Sequence, residues 1–63
     1  MNVNEITKTE LFGEAVNKAR KSRETYDDDV NIIASFVVEH LVGTEAYDED
    51  LVLEVMDELY DRV

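Results

Sequence analysis

The sequence contains no cysteine, no proline, no tryptophan and only two glycines among its 63 residues. Without cysteine the chain has neither disulfides nor thiolate metal sites, so two common sources of stability in small proteins are excluded. Basic residues are also scarce, because six Lys and Arg stand against 16 Asp and Glu, which gives a formal net charge of -10. A field of this sign argues against direct binding to nucleic acid or to an anionic membrane.

Long hydrophobic runs and targeting signals are missing as well. The first six residues lack the basic and apolar segments of a signal peptide. The longest mostly apolar stretch, residues 30–42, is interrupted by polar side chains and is shorter than the ~20 residues that span a bilayer. We therefore expect a cytoplasmic protein without membrane contacts. The length fits one acidic helical domain, residues 1–63, which buries only about 60% of the surface that its unfolded chain exposes.

What is present is the periodicity of three amphipathic helices, which predicts an all-α fold, a small three-helix bundle. The first helix is predicted to begin after Thr7, because Thr7 and Glu10 have the spacing of a capping box. The second helix is predicted to begin within residues 25–29. It should end before Gly43, a residue suited to the left-handed conformation that often follows a helix.

The predicted second helix is apolar over most of its circumference. One face is formed by five residues: Val30, Ile33, Ala34, Val37 and Leu41. Ile32, Phe36 and Val38 lie off that face, so some of them would stay exposed in an isolated three-helix bundle. A homodimer, or a target protein docked on this helix, would cover Ile32 and Phe36. The β-branched side chains also leave open an α+β fold in which residues 31–38 form a buried strand.

The predicted third helix, with Thr44 or Asp48 as its N-cap, separates apolar from acidic side chains. Its apolar positions fall on one side at 100° per residue: Leu51, Val52, Val55, Met56, Leu59 and Val63. Five carboxylates fall within about 100° on the opposite side: Asp50, Glu54, Asp57, Glu58 and Asp61. Several are like-charge pairs at i, i+3 and i, i+4, each of which lowers helix stability by roughly 0.2–0.5 kcal/mol. Folding stability therefore does not explain the pattern.

Charge is also segregated along the chain. Four of the six basic residues lie close together: Lys18, Arg20, Lys21 and Arg23. Residues 24–61 contain thirteen acids and neither Lys nor Arg. The basic cluster is predicted to neutralise Asp27, Asp28 and Asp29, or to meet the acidic face of another copy.

The acidic side of the third helix has a charge spacing similar to that of nucleic acid. Five carboxylates in about 16 Å amount to roughly one per 3–4 Å, and a DNA strand has one phosphate per about 3.4 Å. Such a helix fits a basic groove built for DNA or RNA, with Asp27, Asp28, Asp29 and Asp48 extending the acidic surface. An acidic stripe is equally typical of a solvated amphipathic helix, and acidic composition keeps small proteins soluble.

The chain resembles the small acidic inhibitors that bacteriophages and mobile elements use against host nucleic-acid enzymes. The resemblance is one of size, charge and helical pattern over the whole length, and it includes no shared motif. The resemblance implies a protein partner that normally binds DNA or RNA, in the cytoplasm of the host cell. The alternative is an adaptor or antitoxin-like neutraliser that binds its partner through Ile32 and Phe36. The tyrosines either anchor a partner or close the edge of the core.

Catalytic and metal chemistry are not expected. His40 is the only histidine, and its place in the last turn of the second helix suits a cation-capable side chain beside the terminal carbonyls. The acidic clusters at residues 27–29 and 48–50 lack the glycine and the alternate spacing of a calcium loop. We therefore predict no enzyme activity, no catalytic residue, no metal and no cofactor.

Overall fold

Four helices make up the described part of the chain. The computed structural model describes the backbone of residues 1–22 and 27–62 and the side chains of residues 1–21 and 30–62. The helices are α1 (Val3–Ile6), α2 (Glu10–Ser22), α3 (Asp27–Val42) and α4 (Glu49–Arg62). These residues contain no strand. The all-α prediction is therefore confirmed, and the alternative of a strand over residues 31–38 is wrong.

Residues 31–38 are helical in spite of their β-branched side chains, which cost only roughly 0.5 kcal/mol each against the best helix formers. Burial of Val30, Ala34 and Val37 on one side of α3 outweighs that cost. The predicted end of this helix is confirmed, because Gly43 has a φ of 80°. Its N–H donates to the Glu39 carbonyl over 2.9 Å.

The N-terminal residues form a short helix that the sequence pattern did not predict. α1 begins with a reciprocal capping box, in which the Glu5 N–H donates to the Asn2 side chain over 2.9 Å. The Asn2 N–H in turn donates to the Glu5 carboxylate over 3.4 Å. A four-residue helix is unstable in isolation. Its docking rests on Ile6, which is fully buried in the core.

α2 begins two residues later than predicted, with Thr9 rather than Thr7 in the capping position. The Phe12 N–H donates to Thr9 Oγ1 over 3.2 Å. Thr7 instead ends α1, and its hydroxyl donates to the Asn4 carbonyl over 2.9 Å. The predicted capping box of Thr7 and Glu10 is therefore wrong, because α1 occupies the chain up to this point.

Thr9→Ala should lower the free energy of unfolding by about 1 kcal/mol, the usual cost of losing an N-cap. The change removes the acceptor for the Phe12 N–H and the hydroxyl that donates to the Ile6 carbonyl over 2.7 Å. Thr7→Ala is the matched control and should cost less than half as much. Urea denaturation followed by circular dichroism measures both. A larger loss for Thr7→Ala would contradict the assignment of Thr9 as the cap.

The core is one cluster built from all four helices. Its buried members are Ile6, Phe12, Ala15, Val16, Ala19, Val30, Ala34, Val37, Val38, Val52, Val55 and Leu59. α3 is the central helix, packed against both α2 and α4. Val38, which the sequence placed off the packed face, is fully buried, because it continues the stripe of Asn31 and Ser35 that adjoins α4. Val63, predicted for the apolar side of α4, lies outside the described residues.

Candidate functional site

α4 is oriented by its cap and by its apolar side. The Asp50 N–H donates to Asp48 Oδ1 over 2.9 Å, so Asp48 rather than Thr44 caps the helix. The buried side consists of Val52, Val55 and Leu59. This packing leaves the opposite side of α4 facing solvent.

Four of the five acids predicted for that side form what we call the acidic face: Asp50, Glu54, Asp57 and Asp61. All four are exposed, and at 100° per residue they fall within about 60° of one another. Within the described residues, no Lys or Arg nitrogen lies within 4.0 Å of any of their carboxylates. Their exposure agrees with the sequence pattern, and their role in binding stays a prediction.

Glu58 differs from the acidic face because its charge is paired. The carboxylate accepts a hydrogen bond from Arg62, one turn along the helix. The Arg62 guanidinium carbon also lies 5.2 Å from the centroid of the buried Phe12 ring. An exposed i, i+4 pair of this kind contributes only about 0.3–0.5 kcal/mol, but it removes Glu58 from the set of free carboxylates.

The free charge density of α4 is therefore lower than five carboxylates implied. Four carboxylates over about 16 Å leave about 5.5 Å between successive charges along the axis, against about 3.4 Å for one DNA strand. Glu45, Asp48 and Glu49 are also exposed and continue the negative surface beyond the start of the helix. The resemblance to nucleic acid is in sign and linear arrangement more than in spacing.

An apolar edge borders the acidic face, and the sequence analysis missed half of it. Leu53 and Tyr60 are 57% and 43% exposed. Helical projection places both about 70–90° from the centre of the acidic face, between that face and the core. The exposure of Leu53 could have been predicted from the sequence, because it is the one large aliphatic residue of α4 that projects away from the apolar side.

The basic cluster of α2 is partly used inside the fold. Arg20 donates from Nε and Nη2 to the Arg62 carbonyl over 3.3 and 3.1 Å, which places a cation at the negative end of α4. Lys18 Nζ lies 6.0 Å from the centroid of the Phe36 ring. The predicted neutralisation of the three aspartates at the start of α3 lies outside the described side chains, which exclude Arg23, Asp27, Asp28 and Asp29.

A second surface, the α2–α3 groove, lies between α2 and α3. Its lining includes Leu11, Glu14 and Lys18 from α2 and Ile32, Ile33 and Phe36 from α3. Ile32 and Phe36 are 66% and 55% exposed, and the Phe36 ring stacks on His40 with centroids 5.9 Å apart. The groove encloses about 190 Å³, which is below the roughly 300–1,000 Å³ of small-molecule sites.

Other kinds of site find little support in the residues that the structure describes. That part of the chain contains no group of three or more His, Asp or Glu residues placed to hold a metal ion. None of its helices combines the length and apolar character needed to cross a membrane. No protein-family model, curated protein or solved structure matches the chain.

Proposed function

We propose that this protein uses the acidic face of α4 to bind a protein whose ligand is DNA or RNA, and so competes with the nucleic acid. The observation that carries the proposal is the exposure of four carboxylates without a cationic partner in the described residues. Successive members stand at i, i+3 or i, i+4, and each like pair costs roughly 0.2–0.5 kcal/mol. A cost that the fold itself does not offset is typical of a functional surface.

In a complex, the Lys and Arg residues of a basic groove on the target would offset the repulsion among these carboxylates. Carboxylates entering such a groove would lie beside its Lys and Arg in the places of the phosphates, and the attraction between opposite charges would favour binding. Leu53 and Tyr60 add a contact of another kind, because apolar side chains beside a charged patch bury area and fix the orientation of the complex. Charge would steer the encounter, and the apolar edge would hold the complex.

The proposed setting is the cytoplasm of a bacterial host, with a bacteriophage or mobile element as the source of the inhibitor. The support is the resemblance in size, charge and helical pattern to small acidic inhibitors from such sources. The net charge of -10 opposes direct contact with nucleic acid, so the competition would take place on the target protein.

A second candidate function is favoured by the exposure of Ile32 and Phe36 beside the α2–α3 groove. Exposed apolar side chains around a groove mark protein-binding surfaces. The protein would then be an adaptor or an antitoxin-like neutraliser that binds its partner through apolar contacts. Such a complex would respond weakly to salt, whereas charge mimicry predicts a steep response.

Displacement from DNA-cellulose tests the first function. Bacterial proteins retained on the resin are eluted with the wild-type protein, and the eluted target is then titrated at increasing salt. We expect affinity to fall roughly tenfold or more between about 0.05 and about 0.5 M salt, because the contact is between exposed charges. Asp57→Asn combined with Asp61→Asn should elute the target poorly.

The matched control carries Glu10→Gln and Glu39→Gln, two exposed acids outside α4. It has the same net charge as the test variant and should elute the target as the wild type does. If the α4 variant still binds at high salt and Phe36→Ser does not, the contact is apolar and the second function holds instead.

A further inference from the structure

We propose that the α2–α3 groove is the interface of a symmetric homodimer, in which α2 packs antiparallel on α2 and α3 antiparallel on α3 of the second copy. Ile32 and Phe36 supply its apolar centre, since both are more than half exposed in the single chain. Glu14 and Lys18 line the same groove from α2. The spacing of these four residues favours a second copy of the chain as the occupant of the groove.

A two-fold axis requires that every contact between the two copies occurs twice. If one residue of the first copy contacts a different residue of the second copy, the same two residues also meet with the copies exchanged. Glu14 and Lys18 are four residues apart, and so are Ile32 and Phe36, a rise of about 6 Å in each case. When a helix packs antiparallel on its own copy, two residues face each other across the axis if the axis passes level with their midpoint. Glu14 then meets Lys18 of the partner subunit, and Ile32 meets Phe36 of the partner subunit.

Both pairings are satisfied by one axis. It must pass level with Val16, midway between Glu14 and Lys18, and with Ala34, midway between Ile32 and Phe36. α2 ends at Ser22 and α3 begins at Asp27, and helices joined by so short a connection run antiparallel. All four residues line the same groove, so the two midpoints lie at similar heights along the two helices. The charged pair and the apolar pair therefore select the same arrangement.

The alternative axis, parallel to the helices, would place α2 against α3 of the second copy. Glu14 and Lys18 would then face Ile32 and Phe36, and neither charge would meet a partner. Charge complementarity thus favours the axis perpendicular to the helices. In the single chain, Lys18 lies beside the Phe36 ring, so its ammonium group is already held at the rim of the groove.

The dimer should be weak and reversible. α2 and α3 have 13 and 16 residues, so a face of two helices measures about 20 by 20 Å, or about 400 Å² in projection from each copy. Such a contact lies at the low end of protein interfaces, and we expect a dissociation constant of about 10–100 µM. α4 packs on another side of α3, where Asn31 and Ser35 adjoin it, so both acidic faces remain free.

Sedimentation equilibrium from about 5 to about 500 µM spans the expected constant and tests the dimer. The wild-type chain should convert from monomer to dimer, and Phe36→Ser should remain monomeric while circular dichroism shows that it is folded. Added salt should leave the dimer unchanged or strengthen it, because two chains of charge -10 repel each other. The complex proposed for the acidic face has the opposite salt dependence.

Charge reversal tests the register of the dimer. Glu14→Lys and Lys18→Glu should each weaken it about tenfold, because every reversal places like charges together twice in the symmetric interface. Mixing these two variants in equal amounts should restore association as a heterodimer. Glu39→Lys and Lys8→Glu change the net charge equally at exposed positions outside the groove and should not weaken the dimer.

A wild-type chain that stays monomeric throughout the concentration range would overturn the proposal, and the groove would then belong to a different protein. Association that is unaffected by Glu14→Lys and by Lys18→Glu would overturn the proposed register. Neither outcome bears on the acidic face of α4, which is tested separately with its own target.

Discussion

Phe12→Ala should lower the free energy of unfolding by about 3–5 kcal/mol, the usual cost of removing a buried aromatic ring. Phe12 is 2% exposed and belongs to the cluster shared by all four helices. Its loss would also leave the Arg62 guanidinium without the ring over which it lies. A domain of this length has roughly 3–9 kcal/mol of total stability at 0.05–0.15 kcal/mol per residue. The expected loss is therefore a large fraction of the total stability, and the urea midpoint of the variant should fall steeply.

Phe36→Ala is a chemically identical control in the same chain. Because Phe36 is 55% exposed, we expect its loss to cost about 1 kcal/mol or less. Urea denaturation at low micromolar concentration, where the proposed dimer is dissociated, measures both variants. Equal losses for the two would contradict the packing of α2 against the other helices.

Neutralising Glu54, Asp57 and Asp61 together should stabilise the fold while it abolishes binding. The variant E54Q/D57N/D61N removes like-charge pairs along α4, and its free energy of unfolding should rise by about 0.5–1.5 kcal/mol. Its affinity for a target that recognises the acidic face should fall by about 100-fold or more, as expected when several charges of one interface are lost together. The stability gain should shrink at high salt, because salt already screens the repulsion.

Effects of opposite sign on folding and on binding separate a functional surface from a solubilising one. The matched control is E10Q/E14Q/E39Q, which removes three exposed carboxylates outside α4 and outside the negative surface that adjoins it, and has the same net charge. It should bind the target with nearly wild-type affinity. Equal losses for the two triple variants would mean that total charge, rather than the acidic face, governs binding.

Much of the local structure was predictable because it depends on neighbouring residues along the chain. Gly43 ends α3 because the absence of a Cβ permits its positive φ, and Asp48 caps α4 with its side-chain oxygen. The start of α2 was not predictable in the same way, because Thr7 and Thr9 are both suitable caps. The choice between them depends on α1, whose four residues are held by the docking of Ile6 in the core.

The two candidate surfaces, too, were predictable only where they depend on the pattern within one helix. The angular pattern of α3 indicated that some of Ile32, Phe36 and Val38 would be exposed, and the angular pattern of α4 indicated its acidic side. The pairing of Glu58 with Arg62 was not predicted, although their i, i+4 spacing on one helix permits it. The bonds from Arg20 to the end of α4 join residues 42 positions apart, and no local pattern indicates such a contact.

By itself, the sequence predicted three of the four helices and the angular position of each side chain about its helix axis, but it left open a strand over residues 31–38, which the structure excludes. The tertiary structure decided which angular sectors are covered, and thus that Val38 is buried while Leu53 stays exposed. It also decided that Glu58 is paired and that four carboxylates of α4 have no cationic partner among the described residues. The physical reason is that periodicity fixes directions within one helix, whereas burial and charge pairing depend on where the neighbouring helices lie.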